Sequence, residues 1–95
     1  MKPVKYSPLA QNDISDIWDY TFDHWGLKQA TIYVQTLRDS SHALSTGSVI
    51  GRAVDIREGY FKYPAGEHFI FYKETDSEIT VIRILHKSMD VGRHL

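Results

Sequence analysis

A chain of 95 residues, 42% hydrophobic and 13% aromatic, holds enough apolar material for one core, so a single domain over 1–95 is expected. Zero cysteines exclude disulfides and thiolate metal sites and point to a reducing compartment. The net charge of −1, from 11 Lys plus Arg against 12 Asp plus Glu, lacks the basic excess of a protein that lives on bare nucleic acid, and favours a protein partner.

No apolar run approaches the roughly 18 residues that a bilayer span requires. The opening stretch MKPVKYSPLAQND has no apolar segment of the kind a secretory signal needs. A cytoplasmic protein with no membrane partner is the expectation.

Along the chain, residues 3–6 suit a short leading strand, and Ser7-Pro8 reads as a helix start, with Ser as N-cap and Pro at the first helical position. Ala10, Ile14, Ile17, Trp18, Thr21, Phe22 and Trp25 recur at helical spacing and predict one apolar stripe. Asp13, Asp16, Tyr20 and Asp23 are expected on the opposite, solvated face. Gly26 ends this helix as a left-handed cap. A second helix follows with Ala30, Tyr33, Val34, Leu37, Ser41 and Leu44 inward, and STGSVIG at 45–51 breaks it. The two form an antiparallel helical hairpin joined by about three residues.

The period then changes. Residues 54–63, 67–73 and 79–85 are β-branched and aromatic runs, separated by PAG at 64–66 and ETDSE at 74–78. Short turns predict an antiparallel meander, and Gly59 suggests a bulge in its first strand. Neither helix buries its stripe alone, so both are expected on one face of the sheet, giving an α+β fold.

His68 and His86 meet if their strands pair, but no third ligand is evident and no metal site is expected. Arg57 and Arg83 lie inside predicted strands. Each needs either a carboxylate partner, with Asp55, Glu58 and Glu67 the candidates, or a place in a cationic patch on the open sheet face. The aromatics from Tyr60 to Tyr72 read mainly as strand core, with base stacking a minor alternative. No dinucleotide or phosphate-loop glycine motif is present, and no cofactor is implied. The closing run RILHKSMDVGRHL gathers His86, Lys87, Asp90, Arg93 and His94.

The strings SPLAQNDISDIWDY at 7–20, WGLKQA at 25–30, IREGY at 56–60, GEHFIFY at 66–72 and RILHKSMD at 83–90 resemble the ParE branch of the RelE/ParE toxin superfamily across essentially the whole chain. The resemblance implies a leading strand that joins an antiparallel sheet covered by a helical hairpin. RelE-type members are ribosome-dependent mRNA endonucleases. Their chemistry needs a base for the ribose 2′-OH, an acid for the leaving oxygen and cations for the phosphorane. Those nucleases place an arginine where this chain has Phe69, and a tyrosine shortly after the last strand, where residues 86–95 have none.

ParE-type members are similar in a fuller way. They imply a protein inhibitor, not a catalyst, that traps the cleavage complex of DNA gyrase and blocks replication. A ParD-type antitoxin would neutralise it, laying a folding segment over the hairpin and sheet margin, at residues the sequence does not identify. DNA would be reached only indirectly, through antitoxin or gyrase. On this reading the tail is a docking element. His86, Lys87 and Arg93 are the first candidates for gyrase or gyrase-bound DNA, Arg57 and Arg83 the second, and Met89 anchors the segment. The alternatives are a RelE-like nuclease or a weak toxin that retains only antitoxin binding.

Overall fold

Ser7 and Pro8 start the first long helix as their chemistry predicts. In the computed structural model, which describes residues 2–95, the Ser7 hydroxyl accepts from the Ala10 N–H at 3.0 Å, and Pro8 opens α1 (Pro8–Trp25). Ala10, Ile14 and Thr21 are buried, and Ile17 and Trp18 half-buried. The far end of the expected stripe is uncovered: Phe22 and Trp25 are 43% and 65% exposed. Adjacent helix positions stand about 100° apart, so with Thr21 inward Phe22 must turn away. Its ring stacks instead on Trp18, centroids 5.1 Å apart.

Gly26 alone joins α1 to α2 (Leu27–Thr46), a tighter link than the three residues expected. Its N–H caps Phe22 O and its carbonyl accepts from Ala30 N. The torsions, φ 90° and ψ 178°, are not those of the left-handed helical cap expected. They lie in a region that only glycine enters readily, which lets one residue serve both helices. The inner side of α2 buries Ala30, Leu37, Ser41 and Leu44, with Tyr33 and Val34 half-buried.

The sheet contains β1 (Val4–Tyr6), β2 (Arg52–Ala53), β3 (Phe61–Ala65), β4 (His68–Glu74) and β5 (Ile79–His86), in the order β1-β5-β4-β3-β2. The meander β2 to β5 is antiparallel, but β1 runs parallel to β5, so the sheet is mixed. The helical hairpin and the meander lie between the two in sequence, long enough for the crossover that parallel neighbours need. Both helices lie on one face of it. Their inner residues share a core with Ile70, Tyr72, Ile79, Val81 and Ile84.

Two strand boundaries differ from expectation. Residues 54–60 form the loop between β2 and β3, closed by Val54 N to Tyr60 O at 2.9 Å, and Gly59 is part of this turn. The alternation of Val54 and Ile56 suggests a strand. Asp55, Arg57, Glu58 and Gly59 interrupt it, and Ile56 ends 54% exposed. Pro64 and Ala65, expected in a turn, belong to β3, where Pro64 stands opposite Phe69. By Pro64 the neighbouring β2 has ended, so its missing N–H falls on a free edge.

The start of α1 finishes the sheet. β1 pairs with β5 only as far as Val81, leaving the next residues of β5 an open edge. Ser7 N donates to Val81 O at 2.9 Å, and Ser7 Oγ to Ile82 O at 2.6 Å. Asp13 Oδ2 accepts from the Ile84 N–H at 2.9 Å. Asp13, expected on the solvated face, is therefore turned to the sheet.

Candidate functional site

At one end of the molecule the two helices and the paired ends of β4 and β5 enclose a groove of about 900 Å³. Tyr20, Trp25 and Met89 give it an apolar rim, all more than 40% exposed. Tyr33, His68, His86 and Ser88 line its polar end. His68 and His86 are direct cross-strand partners, ring centroids 5.3 Å apart and edge to face, so the pairing read as conditional in the sequence occurs.

Each imidazole has one nitrogen occupied. Tyr33 Oη accepts from Glu67 N at 2.9 Å and shares a hydrogen bond with His68 Nδ1 at 2.5 Å. The turn at Gly66 closes so near Tyr33 that a side chain there would stand 2.7 Å from its ring. Burial, and then the neighbouring His86, push the His68 pKa down to about 4, so the ring is neutral at physiological pH. His86 Nδ1 accepts from Ser88 N at 3.1 Å and contacts Ser88 Oγ at 2.7 Å. None of the residues lining the groove is Lys or Arg, while Asp16 and Glu67 are among them. It suits an apolar segment bearing a polar group.

The candidate cations lie elsewhere. Side chains alternate along a strand, and Ile70, Tyr72 and Ile84 face the helices, so Phe69, Phe71, Arg83 and Leu85 face away. Arg83 is a strand-face cation with a carboxylate partner, but the partner is Asp13 of α1, none of the three weighed from sequence. Its Nε and Nη2 donate to the two carboxylate oxygens at 2.8 and 2.9 Å. The Asp13 hydrogen bond raises the Arg83 pKa further above its ordinary range. Arg57 donates from Nη1 to Leu95 O at 2.8 Å and sits over the Tyr60 ring.

His86 and its neighbour Lys87 part company: the imidazole lines the groove, and the Lys87 ammonium stands 5.4 Å from the Phe69 centroid on the outer face. Arg93 is exposed, loosely paired with Asp90 at 3.9 Å in the short α3 (Val91–His94). Met89 is 46% exposed and does not anchor the tail. The segment is held by main chain: Arg83 and Arg57 donate to the oxygens of His94 and Leu95, and Lys87 N to Glu67 O at 3.0 Å. Tyr33 is the groove residue that sequence reading assigns only to the core. Its spacing is that of an inward helix position, and no local signal marks it as the partner of a turn 34 residues away.

Residues 4–91 match the family model described as the ParE toxin of the type II toxin–antitoxin system parDE. The chain belongs to the ParE toxin family. It is 45% identical over 91 residues to Toxin ParE1 of Mycobacterium tuberculosis, covering 94% of this chain and 93% of that one. With Toxin ParE1 of Caulobacter vibrioides it shares 33% over 96 residues, covering 100% and 99%.

Solved structures reproduce the ParE fold seen here. A chain of the chromosomal ParDE system from P. aeruginosa superposes with TM-score 0.78 at 20% identity, covering 90% of this chain and 96% of that one. The YoeB dimer from Staphylococcus aureus gives 0.62 at 16%, covering 90% and 95%. As a ParE-family toxin, the chain keeps the two-helix cover and mixed sheet of these relatives. No helix in it, among the described residues, is long and apolar enough to cross a membrane.

Proposed function

We propose that this chain is a non-catalytic toxin that inhibits DNA gyrase by trapping its cleavage complex with DNA, and that a ParD-type antitoxin neutralises it. The observation that carries the reading is a separation. Cleaving a ribose phosphodiester takes an acid–base pair and cations within reach of one phosphorus. Here the imidazoles of His68 and His86 border a groove without Lys or Arg, while the Arg83 guanidinium is held by Asp13 of α1 and the Lys87 ammonium stands at Phe69 on the outer face of the sheet. Phe69, in place of the nucleases' arginine, supplies no charge, and residues 86–95 supply no tyrosine.

A toxin without chemistry acts by holding a larger machine in one of its states, and needs differential affinity for that state. His86, Lys87 and Arg93 are exposed and available for such a contact, and Arg57 and Arg83 stand behind them as supports of the tail. The apolar groove and the exposed aromatic end of α1 are the receiving surface for an antitoxin segment that folds on binding.

Controlled expression in a bacterial reporter strain tests the reading. The expected result is a DNA-damage response with translation intact, suppressed when the antitoxin is co-expressed. Rapid mRNA cleavage without a damage response would favour the nuclease alternative. Growth unaffected at high expression would favour a weak toxin.

A further inference from the structure

The near-zero net charge hides a segregation by face. Cross-strand register gives the rows that point away from the helices: Lys5, Thr80 and Lys73; Arg52, Lys62, Phe71 and Arg83; Pro64, Phe69 and Leu85. Every charged residue in these rows is basic. The two long helices carry the opposite sign, with Asp13, Asp16, Asp19, Asp23 and Asp39 against Lys28 and Arg38. A dipolar molecule of this kind presents a positive field on one side whatever its total charge.

Lys5 is paired with Glu78 at 3.6 Å, but three other lysines of this face lack a neutralising neighbour. Among the described residues, Lys62, Lys73 and Lys87 have no carboxylate within 4.0 Å. They stand instead at aromatic rings. Lys62 and Lys87 lie 4.6 and 5.4 Å from the centroid of Phe69, and Lys73 lies 5.6 Å from that of Tyr60. The centre of this face is closed over the fully buried Phe71 and Leu85, but around it three unpaired lysines flank two half-buried rings, and this margin matches the two needs of a single strand, phosphate neutralisation and a stacking surface. A duplex keeps its bases stacked on one another, so rings offered as a stacking surface favour a strand whose bases are free.

We infer that the outer face of the sheet binds single-stranded nucleic acid directly, with phosphates on Lys62, Lys73 and Lys87 and bases against Phe69 and Tyr60. This contact does not rest on the gyrase reading and replaces the expectation that DNA is met only through another protein. Fluorescence anisotropy with the free toxin and a labelled single strand of about 12 nucleotides, within the span of known platforms, tests it without gyrase.

The expected result is binding that weakens with salt. Combined Lys62→Ala, Lys73→Ala and Lys87→Ala should lower affinity at least tenfold and flatten the log–log salt slope by about 2, at ~0.7 per lost phosphate contact. The triple Lys→Arg variant should keep binding, and circular dichroism of both should match the parent. Tyr60→Leu should weaken the strand several-fold while leaving inorganic polyphosphate binding unchanged. No binding of the single strand would overturn the proposal. So would duplex binding of equal strength, or competition by polyglutamate as effective as by the strand, which would make the face a general acidic-polymer site.

Discussion

The His68 imidazole stands half-buried against His86, with Nδ1 taken by Tyr33, and its pKa is lowered from 6.5 to about 4. The unfolded chain takes up a proton near pH 6.5, and the folded chain resists it until about pH 4. Stability is therefore full above 6.5 and declines as pH falls through this window. Discounted for the partial exposure of the ring, the loss is on the order of 1 kcal/mol. Urea unfolding across the window should show this decline, and His68→Phe should flatten it. An unchanged slope in the variant would assign the pH dependence to other groups. The encounter of His68 with His86 was legible in sequence, because cross-strand pairing follows once two strands and a short turn are recognised. The part played by Tyr33 was not, because a helix position that meets a distant turn leaves no local mark.

Between elements, the contact of α1 with the exposed stretch of β5 decides how the hairpin sits on the sheet. Asp13 answers the Ile84 N–H and both arms of Arg83, with side chains only 12% and 15% exposed. Removing it leaves a mostly buried guanidinium and a strand N–H unpaired, at a cost of about 2–4 kcal/mol. Asp13→Ala should lower the urea midpoint accordingly. A double-mutant cycle with Arg83→Met should recover part of the loss, since the stranded charge is then gone. Additive losses would contradict a direct pair. Helical spacing placed Asp13 on the solvated face, whereas the early end of β1 leaves the Ile84 N–H of β5 that Asp13 turns inward to meet. The loop at 54–60 misleads for a related reason. Val54 and Ile56 alternate like a strand, but the charged residues and Gly59 among them have no neighbouring strand to satisfy, and the chain turns.

At the scale of the whole molecule, the fold class followed from sequence because helices of 18 and 20 residues and two long strands dominate it. The distribution of charge did not follow. Composition sums the faces, whereas the sheet separates an acidic helical side from a basic outer side, and His86 from Lys87. The proposed reading of a binding toxin rests on that separation, since no Lys or Arg lines the groove that His68 and His86 border. The measurement that tests this most directly is DNA cleavage and supercoiling by purified gyrase in the presence of the toxin, with and without its antitoxin. Cleaved DNA that accumulates with the toxin and disappears when antitoxin is added is the predicted result. Gyrase that runs unaffected at large toxin excess would contradict it.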